Sequence, residues 1–578
     1  MIMDCWMFVS RSVRRRLAVA AAACIVPCVP LAAQDRVPAS AGEHRPGRLQ
    51  RIFHQDYRMP EVRAIAVAGE AALESMIREG KLLLTQEEAV RLAVENNVDL
   101  NVERYTPYFA LWGVERGRAV LNPTVSWNVN LDRLRTPTTS ALQGGDTLLN
   151  VNTLYDFSIR KPLEPGLDLA LGFTTRRNRT TSFFNSLNPS LTSNLALTLT
   201  QHLLRDSGRL SRMRFVLTAQ NNEKIAREAF VARLEQLVTT VLHTYWDLVF
   251  ADEDIKDKET SRDLARLVLE QNRIQAEVGS MSPLDVVQAE AEVAAREQQV
   301  VAARYNRMII EEQLKKLISS RPDPGTVPAT IVPVSKPGTP PAPVGEVSEA
   351  IRRAMEIRPE VRQLLSDLEN RKIQVDYTRN QLRPVLDFVA SYSQNGLGGD
   401  RIVRDYSQGF IGAPIVGYFP GGFVDTLDSL FSRKYLGYNL GFNFRVPIGN
   451  DDARAGNAQA QIDYRQAQER LAATRQRIAL EVRQAYRRVE LYQASVAAAE
   501  VTVRSMRERL QGEQEKYALG TTTTRAVFEA QRDLQAAVNS RLQAQINLIK
   551  ARISLDLAVG DTLAAHGIEV EEALRPLR

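Results

Sequence analysis

Apolar and polar residues alternate along this chain in two rhythms, one repeating every two residues and one every three to four. In "PTVSWNVNLD", Val125, Trp127, Val129 and Leu131 alternate with Ser126, Asn128, Asn130 and Asp132, which predicts a strand with one apolar and one polar face. The same beat returns at Tyr155, Phe157 and Ile159, at Leu167, Leu169, Leu171 and Phe173, and at Leu195, Leu197 and Leu199. "LEPG" supplies turn chemistry between two of these runs. A later pair, "VLDFVASYS" and "YNLGFNFRV", carries the beat through Leu386, Phe388, Ala390 and Tyr392 and then Tyr438, Leu440, Phe442, Phe444 and Val446. Each run predicts a strand of about ten residues.

Between the strands the period is helical. A short helix is expected over Ala64 to Arg78, and Thr85 with Glu88 forms a capping box that opens a helix running to about Leu121. From Arg209 to about Val278 the pattern predicts one helix of about 105 Å at 1.5 Å per residue. After Gly279 a second helix starts at Pro283, a favoured first-turn position, and returns to about Ser319. A later rod carries Ile478, Val482, Ala485, Val489, Tyr492, Val496, Ala499, Val503, Met506 and Leu510 in unbroken 4-3 spacing, the seam of a coiled coil. In the earlier rod the equivalent positions run Leu237, Val241, Thr244, Leu248, Ala251, Ile255 and then Lys258 and Arg262, so packing there is expected to shift register or loosen.

The chain says most of this twice. A shift of 261 residues superposes Ala89 on Ala350, Ala93 on Ala354 and Pro123 on Pro384; a shift of 241 superposes Gly208 on Gly449, Tyr245 on Tyr486 and Gly279 on Gly520. The change of shift falls within the strands, because loops absorb insertions that long helices do not. The expected organisation is an export signal (1–33), an irregular segment with a short helix (34–84), a first repeat (85–319), a proline-rich linker (320–346), a second repeat (347–561) and a C-terminal tail (562–578).

Composition narrows the function. Arg11, Arg14, Arg15 and Arg16 precede the apolar run "LAVAAAACIVPCVPLAA", and cleavage after Ala33 suits an export signal. Lipidation at Cys24 is the alternative reading of that segment. The chain's three cysteines all lie in it, so the mature chain is expected to have neither disulfides nor cysteine-held metal. The 74 basic and 68 acidic residues are interspersed, which argues against nucleic-acid binding. The five histidines, His44, His54, His202, His243 and His566, show no ligand spacing, and neither a phosphate loop nor a nucleophile elbow is present. No catalytic residue, cofactor or metal site is therefore expected, and the chain is read as not an enzyme.

Strands of this length with an apolar face match the height of a tilted outer-membrane barrel, and an open sheet edge is not tolerated in lipid. Four strands cannot close around a useful interior, so several chains are expected to share one barrel. "LTQEEAVRLAVENN", the twofold repeat, and the paired turns "VGSMSPLDVVQAE" and "YALGTTTTRAVFEAQ" resemble the TolC family of outer-membrane efflux proteins over about Leu84 to Asp561. The resemblance implies a mainly α fold with membrane β: a homotrimer in which each protomer gives four strands to a 12-stranded outer-membrane β-barrel, continued by a long periplasmic α-helical barrel. The linker and short helices would form a belt around it. The strands near 155–173 are left open, either in the barrel wall or as a separate hairpin.

The same resemblance implies a passive exit duct of a tripartite efflux or type I secretion system, with a periplasmic adaptor (membrane fusion protein), an inner-membrane pump or ABC exporter, and outer-membrane lipid as partners. It places both hairpin turns at the periplasmic tip as adaptor docking sites, through Gly279, Ser280 and Ser282 and through Gly520, Thr521, Thr522 and Thr523. Small residues there permit close backbone approach and offer hydroxyls, although any helical hairpin also wants them as caps. Asp285, Glu529 and Tyr517 fall on aperture-gate positions; tripled in a trimer, the acids would favour cations. Thr522 and Ala526 replace the family's gate arginine and aspartate, with Arg525 displaced by three, which puts the usual latch in doubt. The rival reading is a periplasmic coiled-coil adaptor or scaffold without a pore. Alkaline carbonate extraction separates the two: a membrane-integral chain stays in the pellet, and a scaffold is released.

Overall fold

The structure is a computed structural model that describes residues 70–138, 146–183, 185–279, 282–323, 325, 327, 329–336, 345–407, 409, 413–519 and 521–574. The expected export signal (1–33), with Cys24 and the expected cleavage site, lies outside them. The first described elements are α1 (Glu70–Met76), a short hairpin of β1 (Ile77–Arg78) and β2 (Lys81–Leu84), and α2 (Gln86–Asn96). Thr85 caps α2 in the expected box, its side chain accepting from Glu88 N while Glu88 accepts from Thr85 N. The helix does not run on to Leu121. Asn97 ends α2 and, accepting from Leu100 N, restarts the chain as α3 (Val98–Arg118). An asparagine with a local backbone acceptor prefers a cap to a helix interior, and here it serves two helices at once.

Four strands follow: β3 (Thr124–Pro137), β4 (Thr147–Leu163), β5 (Leu167–Thr180) and β6 (Leu187–His202). Then come the rods α4 (Arg209–Glu277, 69 residues) and α5 (Pro283–Ile318), close to the expected bounds. The linker is not wholly irregular, since β7 (Thr330–Pro333) pairs in parallel with β2, Leu82 opposite Ile331. The second repeat supplies α6 (Val347–Ile357), α7 (Pro359–Gln381), β8 (Val385–Arg404), β9 (Ile415–Phe419), α8 (Phe423–Phe431), β10 (Leu436–Arg445), α9 (Asp451–Ala518) and α10 (Thr524–Val559). Two short helices, α11 (Thr562–Ala565) and α12 (Val570–Leu574), follow in the tail and bury Leu563 and Ala573.

The expectation of four strands per chain is corrected. Among the described residues, one sheet runs β10-β8-β6-β5-β4-β3, six long strands in antiparallel order, with the short β9 beside β8. The hairpin β4-β5 accounts for the excess: it lies between β3 and β6, where the second repeat has only β8 and β10. The strands also run longer than expected, from 10 to 20 residues.

Two apolar cores hold the rods. One joins β2, α2, α4, α5, β7 and α10 around Leu82, Leu92, Leu234, Val241, Leu314 and Ile331; the other joins α6, α7, α9 and α10 around Ile478, Val482, Val489 and Leu548. Tyr245 ties the small sheet to the rod, its hydroxyl donating to Leu84 O and accepting from Ser335 N while the side chain is wholly buried. The seam of α9 faces inward as expected, with Ile478, Val482, Ala485, Val489, Val496 and Val503 buried. In α4 the register does not shift: the 4-3 spacing continues through Lys258 and Arg262 to the buried Ala265 and Asn272. The packing does loosen, because these two charges are only half-buried and bond to Asp254 and Asp263 on their own helix.

Beside the first core, Glu235 is buried at 6% exposure. Burial, and then the neighbouring Glu360 carboxylate, push its pKa up to about 7; Asp561 and Glu228 add to this and Arg358 opposes it. A carboxyl whose folded pKa lies above its ordinary value weakens the fold as pH rises through the interval from about 4.5 to about 7. The isosteric neutral variant E235Q therefore raises the melting temperature at pH 8, by about 1 °C for each kcal/mol relieved, and the gain shrinks as pH falls, to nearly nothing at about pH 4.

Candidate functional site

The chain carries two functional regions: the strand wall, and the turns where α4 meets α5 and α9 meets α10. In the wall the two-residue beat becomes two chemically distinct faces. One bears continuous cross-strand rows, such as Val125, Ile159, Leu171, Leu197, Tyr392 and Tyr438, and beside it Trp127, Phe157, Phe173 and Leu195. The other bears Asn128, Asp156, Thr174, Asn194 and Asn395 in one row. Here Thr174 donates to Asp156 (2.7 Å) and Asn194 to Asn395 (2.8 Å). The apolar face is uncovered over much of its area, with Trp127 56% and Tyr438 80% exposed. An apolar surface of that extent fits lipid rather than water. Among the described residues no helix is long and apolar enough to cross a membrane.

The base of the wall is pinned to the rods. His202, at the end of β6, sits between Asp387 (Nδ1, 2.6 Å) and Asp168 (Nε2, 3.3 Å), and Arg212 of α4 donates to Asp168 (2.8 Å). His202 therefore belongs to a polar junction, whereas His243 is packed in, its Nε2 within 3.3 Å of Lys550 O and of Ser554 Oγ. Burial, and then the nearby Lys550, lower the pKa of His243. Among the described residues no cluster of three or more His, Cys, Asp or Glu could hold a metal ion.

At the first turn, Gly279 has φ +76°, a left-handed conformation that suits glycine at a helix C-terminus. Ser282 then caps α5 by accepting from Leu284 N (3.3 Å), ahead of Pro283. At the second turn Thr523 caps α10 by accepting from Ala526 N (3.4 Å), and Thr521 bonds Lys516 O through both its amide and its hydroxyl. Ser280 and Gly520 lie outside the described residues.

Asp285 stands exposed in the first turn of α5, and Glu529 half-buried in the second turn of α10, on different hairpins. Tyr517 is half-buried one residue before the end of α9. The residues that depart from the family pattern have local partners. Arg525 reaches Glu529 on its own helix (Nε–Oε1 3.1 Å), and Thr522 donates to Glu513 (3.1 Å) across the turn. Lys516, followed by Thr522, holds the Glu513 carboxylate below its ordinary pKa. Each hairpin is also clasped by an ion pair near its turn, Arg273–Glu290 (2.7 Å) and Arg509–Asp533 (2.8 Å). The motif reading missed these clasps. Their signal is spacing: residues at similar distances before and after a turn face each other in an antiparallel hairpin.

The sequence profile of the outer membrane efflux protein family matches residues 158–320 and 350–561, roughly two thirds of the chain. No curated protein matches the sequence. Among solved structures, the outer-membrane channel OprN shares 16% identity at a TM-score of 0.58, over 88% of this chain and 98% of its own. The CmeC outer membrane channel of Campylobacter jejuni shares 15% at 0.57, over 95% and 98%. The open state of the MtrE outer membrane channel of Neisseria gonorrhoeae shares 17% at 0.54, over 83% and 89%. The wall's two-faced sheet, the doubled helical hairpin and the profile match agree: the chain belongs to the outer membrane efflux protein family and shares the fold of these outer-membrane channels.

Proposed function

We propose that three copies of this chain close into one passive exit duct serving a tripartite efflux or type I secretion system, opened and docked at the hairpin turns. The observation that carries this reading is the pair of unmated sheet edges: among the described residues β3 pairs only with β4, and β10 only with β8. In hydrocarbon each such edge leaves a row of backbone groups without partners, and a copy of the opposite edge satisfies them. Rotation by a third of a turn then closes the wall and gathers three copies of each turn about one axis.

In this reading the turns bearing Gly279, Ser282, Thr521 and Thr523 receive the hairpin tip of a periplasmic adaptor, which links the duct to an inner-membrane pump that supplies the energy. Asp285 and Glu529 form two acidic rings at the aperture beside Tyr517. The rings differ in strength, because Arg525 offsets Glu529 within its own helix while Asp285 stands exposed.

Purified protein in planar bilayers is expected to give discrete, cation-selective conductances; their absence would overturn the pore. D285N is expected to lower cation selectivity more than E529Q does, and R525Q to raise it; a reversed order refutes the assignment of unequal rings. Photoreactive residues at Ser282 and Thr523 are expected to capture a periplasmic adaptor in cells, and capture of outer-membrane proteins alone would refute docking at the turns.

A further inference from the structure

Six strands per chain, rather than four, change the duct itself. Resting on the trimeric reading above, we infer that the outlet is an 18-stranded barrel, three copies of six strands, in which the inserted hairpin β4-β5 is part of the wall.

The hydrogen-bond ladder carries this inference first. β4 is paired along its length with β3 on one side and β5 on the other, and β5 with β6, so β3 and β6 are not neighbours. The faces agree as well. Phe157 and Phe173 continue the apolar row from Trp127 to Leu195, and Asp156 and Thr174 continue the polar row from Asn128 to Asn194. A hairpin folded away from the wall would carry Phe157, Ile159, Leu171 and Phe173 into water and leave its own edges bare. The height agrees too: on the apolar face, exposed Arg133 of β3 and Arg179 of β5 flank Val151 in one row, above the aromatic rows on both strands. Arginines at that level suit a headgroup boundary, since charge on the lipid face is costly near the midplane and tolerated near the interface.

The base of the hairpin is built into the junction. Glu164 in its turn pairs with Arg209 (3.2 Å), Asp168 with Arg212 (2.8 Å), and His202 N donates to Gly166 O. Gly166 has φ +81°, and a Cβ there would stand 2.9 Å from Asp206 O, so the turn seats directly against the start of α4.

Perimeters leave room for 18 strands. α4 packs against α3 and α5, and α9 against α7 and α10, so each chain presents four helical columns. Twelve columns at 8–10 Å spacing give a tunnel about 100–120 Å around. Strands about 4.8 Å apart and tilted by about 40–45° give about 75–80 Å for a 12-stranded ring and about 110–120 Å for an 18-stranded one. The larger ring has about the same perimeter as the helical tunnel, and barrels of 16–18 strands hold an open aqueous channel.

Two measurements on the full chain test this. Cryo-electron microscopy of the purified trimer in lipid nanodiscs is expected to show 18 continuous strands. A water-soluble maleimide is expected to modify G172C, on the polar face, about tenfold or more faster than L171C, on the lipid face. The same ratio is expected for the T198C and L197C pair on β6, and a Cβ at position 172 meets no neighbouring atom. A trimer of 12 strands with β4-β5 outside the ring, or equal reactivity at 171 and 172 beside a clear ratio at 197 and 198, overturns the 18-stranded wall and leaves the trimeric duct standing. A chain that neither trimerises nor enters the membrane overturns both.

Discussion

A backbone amide in hydrocarbon has nothing to bond except other backbone, and much of this chain's architecture follows from that constraint. It requires every strand of the wall to have a mate on each side. It explains why β3 and β10, the first and last strands of the wall, are the ones left with an open side. Among the described residues each long strand lies in one ladder, including the inserted pair. The helical rods answer the same need differently, since their backbone bonds are internal and their side chains are left to set the packing.

Between wall and rods lies a junction where the two solutions meet, and its chemistry is polar. His202 between Asp168 and Asp387, with Arg212 and Arg209 reaching back to the strands, fixes the direction in which α4 leaves the sheet. The small sheet does comparable work farther along α4. There Tyr245 holds a strand of the N-terminal segment and the chain after β7 against one rod, so segments distant in sequence brace the same helix.

Periodicity made most of the fold legible. Long runs leave many chances for the pattern to agree with itself, so the rods α4 and α5 fall within about a residue of expectation, and the α9 seam is buried where the spacing put it. Short features were harder to read. Asn97 interrupts a helical pattern at a point that no proline or glycine marks, and β7 hides among prolines because a four-residue strand has too few positions to show a beat. The alternation at Tyr155–Ile159 and Leu167–Phe173 was visible, but a two-residue beat does not say which strands are neighbours, so the place of this hairpin in the sheet was left open. Around the turns, the sequence offered Ser282 and Thr523 among several possible caps but not the partners of Arg525 and Thr522, because side-chain pairing depends on which helix face each residue occupies.

The two rods differ in the stiffness with which they are held. α9 is gripped by aliphatic residues along its seam, whereas α4 replaces two of those grips, Lys258 and Arg262, with charges that keep partial contact with solvent. A rod clamped firmly at one end and held by exchangeable charges farther along bends where the clamp is weakest. The mechanical consequence is unequal compliance: past Ile255, α4 resists bending less than α9 does at the matching stretch, so the two hairpins do not answer the same load alike.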